Sequence, residues 1–256
     1  MPSDLAKISI ITGDQGGGKS TVGTAFAVTD YFTKLNGLIY PNGSLIKAKS
    51  VAESVNKSDY DTLKKSGIKP NVLKYARIYS KDGKQSKLIK IPPECKVVSP
   101  VHIFSNYHLY GIKYIYADMS YIIEYMNTNL FYEAWILFDE SGSTSARRSM
   151  ETVGKLGAEF STSIRKRNAN FLVMTQYTRM TDLWIRLFAT TRINCTYDKY
   201  SKLISCDGTR EGEDISFEVY APDYWPFFDT EEIIETPQYR IDRALQQIYK
   251  QTAAVG

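Results

Sequence analysis

Apolar residues occur along this chain in short continuous runs that alternate with longer helical patterns. The first run, residues 7–12, contains three isoleucines and is typical of a short buried strand. A helical pattern follows over residues 19–35 and ends at Asn36-Gly37. The opening of the chain therefore predicts a strand, a glycine-rich loop and a helix.

Later apolar runs also predict buried strands. They are residues 97–105, 134–138 and 171–174. Each is followed by polar residues, namely Asn106, Asp139 with Glu140, and Thr175 with Gln176. Continuous apolar runs of this length are typical of parallel strands that are covered on both faces. Helical patterns over residues 117–132 and 153–166 separate them, so we predict strands that alternate with helices.

The C-terminal part of the core predicts an edge to this sheet. After a helical pattern over residues 181–188, strand-like segments occur at residues 192–200, 202–205 and 214–220. We predict that they form an antiparallel edge. The predicted fold is therefore α/β, a mostly parallel central sheet flanked by helices, in a domain of residues 1–228 with a helical tail over residues 229–256.

Between the first helix and the second buried run, residues 46–96 differ in composition. Lysines recur, apolar residues become sparse, and the turn at residues 81–84 predicts a hairpin between residues 75–78 and 88–91. We interpret the segment as an insertion on the core. A solvated surface and a functional surface, such as a subunit contact or a DNA-facing flap, are equally consistent with it.

Composition adds little to this picture. The chain has 256 residues, 43% of them hydrophobic, which suits one large α/β domain. The net charge of +4 is too small to indicate nucleic-acid binding by itself. Three scattered cysteines favour a reducing compartment, and we find neither a secretion signal nor an apolar segment long enough to span a bilayer. We expect a cytoplasmic protein.

The loop between the first strand and helix has the form GxxxxGKS. Its residues are Gly13, Gly16, Gly17, Gly18, Lys19 and Ser20. Glycines let successive backbone N–H groups converge on phosphate oxygens, the lysine reaches the β- and γ-phosphates, and the serine ligates Mg²⁺. The strand before and the helix after are the context that this motif requires, so we predict a site for ATP and Mg²⁺ that also includes Thr21.

Asp139 and Glu140 supply the acids that such a site needs. A central strand delivers them to the carboxyl edge of the sheet. We predict that Asp139 holds the Mg²⁺ ion and that Glu140 orients or deprotonates the attacking water, with Lys19 as a further catalytic residue.

Three other residues remain open between functional and structural roles. Gln176, just past a buried strand, is either a sensor of the γ-phosphate or an ordinary loop amide. Arg165 and Arg167 are either arginine fingers for the site of a neighbouring subunit or cations that complement a helix dipole.

A guanine-nucleotide interpretation fails on the order of its motifs. Residues 139–142 fit DxxG and residues 56–59 fit NKxD, but the second motif should follow the first and come after an apolar strand. Here it comes earlier and follows a polar segment. We therefore treat the match as a coincidence.

Together these motifs resemble the FtsK-HerA superfamily of P-loop ATPases, and within it the Zot-like and viral genome-packaging branch. The matching segments are residues 13–20, 104–108, 136–140, 163–167 and 172–176. The resemblance covers residues 5–195 and leaves the insertion and the tail unmatched. The arginine-rich helix end together with a strand that ends at Gln176 narrows the match to this superfamily.

The resemblance implies an additional-strand, catalytic-glutamate fold of RecA-like type and a homo-oligomeric ring, expected to be a hexamer, that moves double-stranded DNA by hydrolysing ATP. It also implies a sensor role for Gln176 and finger roles for Arg165 and Arg167. The chain shows neither the separate N-terminal barrel of cellular HerA proteins nor the C-terminal membrane anchor of the phage-secretion type. A minimal viral motor is the expectation that fits best.

Three functions follow as hypotheses. The first is a DNA-translocating ATPase that packages a viral or mobile-element genome in the host cytoplasm or in association with the virion. The second is an assembly or export ATPase that acts on a capsid or virion membrane protein. The third is a nucleotide-gated binding module with little hydrolysis.

Overall fold

The computed structural model describes residues 8–51, 71–80, 86–139, 157–178, 181 and 183–229. The strands are β1 (Ile8–Thr12), β2 (Gly37–Ile39), β3 (Leu45–Ser50), β4 (Tyr75–Tyr79), β5 (Ser86–Lys90), β6 (Lys96–Val98), β7 (Ile103–Ser105), β8 (Ile115–Tyr116), β9 (Trp135–Phe138), β10 (Asn170–Met174), β11 (Thr191–Asp198), β12 (Leu203–Arg210) and β13 (Glu213–Tyr220). The helices are α1 (Lys19–Thr33), α2 (Met119–Tyr125), α3 (Gly157–Lys166) and α4 (Leu183–Phe188).

Eight of the described strands form the main sheet, in the order β13-β12-β11-β1-β10-β9-β7-β8. The six strands from β11 to β8 in this order are parallel to their neighbours. Strands β12 and β13 continue the sheet as an antiparallel meander from β11. The predicted fold, a mostly parallel sheet with an antiparallel edge, is confirmed.

The central strands β1, β7, β9 and β10 are buried on both faces, which explains their apolar sequences. Side chains alternate between faces along a strand. In β9, Leu137 belongs to the same buried cluster as much of α1, whereas Ile136 belongs to the cluster that includes Phe160 and Ile164 of α3. The sheet therefore lies between two helical layers, as the sequence pattern predicted.

A second sheet lies between α1 and β7 along the chain. It is antiparallel throughout, in the order β5-β4-β3-β2-β6. The predicted hairpin of β4 and β5 is confirmed. The pairing of β2 with both β3 and β6 was not predicted, and the contact with β6 joins segments that are far apart in the sequence. Residues 97–105, predicted as one buried run, divide between β6 of this sheet and β7 of the main sheet.

The helix predicted over residues 117–132 was wrong in its C-terminal limit. Asp118 caps its start by accepting a hydrogen bond from the backbone N–H of Tyr121 at 2.8 Å, but the α-helix ends at Tyr125. Thr128 then caps a separate 3-10 turn, Asn129–Phe131. Side-chain capping oxygens start a new turn wherever they occur, and here the second cap interrupts the helix.

Several predicted features lie outside the described residues. They are Glu140, the turn at residues 81–84, the possible guanine motif at 56–59, the first part of the helix predicted over 153–166, and the helical tail from residue 230 onward. No helix of the described part of the chain combines the length and apolar composition needed to cross a membrane.

Candidate nucleotide-binding site

The glycine-rich loop follows β1 directly and is held close to the neighbouring strands. A Cβ on Gly13 would lie 2.5 Å from the carbonyl oxygen of Cys195 in β11, and one on Gly18 would lie 2.6 Å from the side chain of Ile204 in β12. Gly18 also has φ of +89°, a conformation that residues with side chains seldom adopt. Glycine at these two positions is therefore required by both space and backbone geometry.

Hydrogen bonds within the loop hold its curled conformation. The Nζ of Lys19 donates a hydrogen bond to the carbonyl oxygen of Asp14 at 2.8 Å, and the N–H of Gly17 donates to the same oxygen at 2.9 Å. Helix α1 begins at Lys19, so its free N–H groups and the positive end of its dipole face the loop. The arrangement presents a cation, backbone donors and a helix N-terminus to one volume, which is what a polyphosphate requires.

The acidic strand reaches this loop across an intervening strand. Strands β1 and β9 are not neighbours, since β10 pairs with both of them. At a spacing of about 4.8 Å between adjacent strands, β1 and β9 are about 10 Å apart. Nevertheless, the hydroxyl of Ser20 donates a hydrogen bond to the carboxylate of Asp139, because the first turn of α1 extends over the end of β10. The predicted meeting of these two residues is observed.

Asn106 fixes the backbone of Asp139 from the other side. Its side-chain oxygen accepts a hydrogen bond from the N–H of Asp139 at 2.8 Å, and its side-chain nitrogen donates to the carbonyl oxygen of Asp139 at 2.9 Å. Both residues are buried. This clamp between the ends of β7 and β9 was not predicted. The apolar run that ends at Asn106 was visible in the sequence, but the partner of its amide was not.

A second unpredicted contact joins the same segment to α1. The hydroxyls of Tyr107 and Thr24 lie 2.9 Å apart and both side chains are buried. The tip of β7 therefore contacts both the acid and the helix that follows the phosphate loop.

The residues present fit Mg²⁺. The serine hydroxyl and the aspartate carboxylate already approach each other, and both are hard oxygen donors of the kind that Mg²⁺ prefers. They lie beside a loop shaped for phosphate, whose oxygens usually complete the coordination of such an ion. The predicted catalytic acid, Glu140, lies outside the described residues.

Gln176 occupies the same edge of the sheet. Strand β10 ends at Met174, between the loop after β1 and the acid after β9, and Gln176 follows it with an exposed side chain. Its position is compatible with contact to a bound nucleotide. Its proposed role as a sensor remains a prediction.

Arg165 and Arg167 lie at the opposite edge. They are at the C-terminal end of α3, immediately before β10 begins, whereas the phosphate loop lies beyond the ends of the parallel strands. The guanidinium of Arg167 donates to the carbonyl oxygens of Thr128 and Ser163, while Arg165 is exposed. Neither contacts the described residues of the nucleotide site in its own chain, and their finger roles remain predictions that concern a neighbouring subunit.

Two cysteines lie behind the phosphate loop. Cys195 and Cys206 are paired across β11 and β12 with their sulfurs 3.7 Å apart, and both are buried free thiols. Hydrogen bonding to Cys195, together with burial, raises the pKa of the Cys206 thiol far above its ordinary value. Neutral, buried thiols of this kind are unreactive packing groups. Their pairing depends on strand register and was not evident from their spacing.

Strand order and phosphate loop together define the fold as that of a P-loop NTPase, in which β10 is the additional strand between the loop strand and the acidic strand. No family model matches the chain, and no curated protein matches it.

Two solved structures are similar at low identity. The N-terminal domain of zonular occludens toxin from Neisseria meningitidis is 11% identical, with 88% of this chain and 100% of that chain covered and a TM-score of 0.44. The flagellar accessory protein FlaH from Methanocaldococcus jannaschii is 14% identical, with 83% of this chain and 85% of that chain covered and a TM-score of 0.37.

Proposed function

We propose that this protein is a Mg²⁺-dependent ATPase that drives double-stranded DNA through a homo-oligomeric ring, and that it packages the genome of a virus or mobile element. The contact between Ser20 and Asp139 carries the nucleotide part of this proposal. This contact places two oxygen ligands at one point beside the phosphate loop. They are the ligands that the chain would contribute to a nucleotide-bound Mg²⁺ ion. The ion would neutralise charge on the phosphates as the terminal bond breaks.

Other residues of the chain bind the phosphates, position the acid and orient the attacking water. Lys19 exchanges the carbonyl of Asp14 for phosphate oxygens, and the loop amides bind the same group. Asn106 holds the backbone of Asp139 so that its carboxylate keeps one position. Glu140 orients the attacking water, and Gln176 registers the terminal phosphate. Phosphoryl transfer depends mainly on positioning and charge stabilisation, and these residues supply both.

The ring is supported by the distribution of arginines. Arg165 lies exposed at the sheet edge away from the nucleotide site, where it is available to a neighbouring subunit. In a head-to-tail ring each such edge faces the nucleotide edge of the next subunit. An arginine finger provided in this way typically raises hydrolysis by about 10³ to 10⁵. We propose six subunits and a place in the host cytoplasm or at the virion.

Steady-state hydrolysis by the full chain tests the proposal. We expect Mg²⁺-dependent phosphate release from ATP that rises on addition of duplex DNA. Lys19→Ala should abolish it, whereas Lys34→Ala, which removes an exposed lysine just past the other end of the same helix, should leave it unchanged. Hydrolysis of GTP, measured in parallel, tests the preference for adenine.

Other outcomes would contradict specific parts. If nucleic acids do not change the rate of ATP hydrolysis but a capsid or virion membrane protein raises it, the proposed function would be assembly or export instead of DNA translocation. ATP that binds but is not cleaved in a single turnover would indicate a nucleotide-gated binding module. Unchanged hydrolysis in Lys19→Ala would remove the enzyme assignment.

A further inference from the structure

The antiparallel sheet has two unlike faces. Residues directly opposite each other in neighbouring strands project to the same face, and successive residues in a strand project to opposite faces. One face is apolar and packs on the core through Leu38, Ala48, Ala76 and Val97, all of them buried. The other face, which we call the basic face, contains Lys47, Lys49, Arg77, Lys90 and Lys96.

The register of the strands sets the positions of these cations on the face. Lys49 lies opposite Arg77, Lys90 opposite Tyr75, and Lys96 opposite Ile39. Strands are about 4.8 Å apart and alternate residues along a strand about 6.6 Å apart, so the cations share an area about 20 Å across. By this spacing Lys47 and Arg77 each lie about 5 to 7 Å from Lys49, closer than the Debye length of about 8 Å at physiological salt, so their potentials add. Lys90 and Lys96 lie farther out, about 8 Å from Arg77 and about 12 Å from Lys47.

No acid offsets this charge within the sheet. The five strands, all of them within the described residues, contain no Asp or Glu. The lysines at 47, 49, 90 and 96 are exposed and form no ion pair with any described residue. Glu94, in the turn before β6, is the nearest acid along the chain. Lys74, just before β4, differs from the basic-face lysines because it forms an ion pair with Asp223 at 2.6 Å.

We propose that the basic face binds the phosphate backbone of double-stranded DNA. The inference rests on the proposed function in taking DNA as the substrate, and it adds the surface that holds it. Charge complementarity selects a polyanion, and a flat sheet surface provides point contacts to phosphates without reading bases. Tyr75 and Tyr79 on the same face are half-buried, so they offer little ring surface on which unpaired bases could stack.

Helix α1 connects this surface to the nucleotide site. It starts at the phosphate loop, and β2 begins only four residues after it ends. At 1.5 Å per residue its 15 residues span about 22 Å. Near its far end, the buried hydroxyl of Tyr31 donates to the carbonyl oxygen of Val97 in β6 at 3.0 Å. A displacement of α1 on nucleotide exchange would therefore move the sheet that contacts DNA.

The test measures binding of the full chain to a fluorescent 30-base-pair duplex, without nucleotide, over a series of salt concentrations. The variant Lys47→Ala/Lys49→Ala/Lys90→Ala removes three basic-face charges. A matched control, Lys87→Ala/Lys113→Ala/Lys199→Ala, removes three exposed lysines elsewhere, of which Lys87 is in β5 but projects to the opposite face. Basal ATP hydrolysis, which should be unchanged in both, confirms that the variants fold.

We expect the basic-face variant to bind duplex at least about tenfold more weakly at 0.1 M salt, and to lower the slope of log affinity against log salt by about 0.9 per lysine removed. The control should resemble the wild type. Equal slopes in both variants would overturn the inference while leaving the motor proposal in place. A wild type that prefers single strands would overturn both the inference and the proposed double-stranded substrate. Binding to anionic vesicles that is lost with the same lysines, without duplex binding, would identify a membrane surface instead. A wild type that binds no DNA in any form would refute the proposed function itself.

Discussion

The two sheets of this protein place polar residues in opposite ways. The central strands of the main sheet, β1, β9 and β10, are apolar on both faces, and the residues of the candidate site lie where these strands end, around Ser20 and Asp139. The antiparallel sheet packs one face on the core and presents five cations, among apolar and aromatic side chains, on the other. The first arrangement brings single atoms to defined positions, whereas the second creates a field that no single residue determines.

This difference predicts how each region responds to substitution. A nucleotide site depends on distances between individual atoms, so one lost group should cost orders of magnitude in rate. A backbone-binding surface depends on the number of charges, so each lost lysine should cost little and the losses should be roughly additive and sensitive to salt.

Asp139→Asn should reduce hydrolysis by about 10² to 10³. The amide keeps the size of the side chain and can still accept a hydrogen bond from Ser20, but it loses the charge that attracts Mg²⁺. A Mg²⁺ titration of the turnover rate measures the effect. Asp207→Asn, at an exposed position in β12, is the control and should behave as wild type. A comparable loss in both variants would contradict a local role.

Gly13→Ala should lower the free energy of unfolding by roughly 2 to 4 kcal/mol, because the new methyl group would lie 2.5 Å from the carbonyl oxygen of Cys195. Gly43→Ala provides the comparison. Its φ of +81° is equally unusual, but nothing lies within 4 Å of the added atom, and we expect a cost of about 1 kcal/mol. Chemical denaturation measures both. Equal costs would show that β11 does not constrain the loop.

Asn106→Ala should lower the free energy of unfolding by about 1 to 3 kcal/mol, because it leaves the buried N–H of Asp139 without an acceptor. Since we assign Asn106 a positioning role, the informative readout is the Mg²⁺ concentration at half-maximal hydrolysis, which should rise. Asn36→Ala, at an exposed position after α1, should change neither quantity. Lost stability with unchanged Mg²⁺ dependence would reduce Asn106 to a structural role.

Lys49→Ala alone should weaken duplex binding only about two- to fourfold and leave hydrolysis without DNA unchanged. Lys74→Ala should have less effect on binding, because that lysine is already paired with Asp223. Half of the Lys74 side chain is exposed, so its loss should cost under about 1 kcal/mol of stability. A larger binding defect in Lys74→Ala than in Lys49→Ala would argue against the basic face.

The parallel core and the candidate residues of the nucleotide site could be predicted from local sequence patterns. Continuous apolar runs marked β1, β9 and β10, and the residues that follow a buried strand must emerge at the end of the sheet. The glycine-rich loop predicted a phosphate-binding site because its spacing and flanking elements leave few alternatives. These features depend on residues that are close together in the chain.

Contacts between distant segments became evident only in the folded structure. The clamp from Asn106 to Asp139, the pairing of Cys195 with Cys206 and the gathering of cations on one face all depend on which strands are adjacent and in what register. A shift of one residue in β3 would turn Lys49 toward the core. Local patterns specify which residues a strand contains, but pairing energies summed over the whole sheet decide what those residues face.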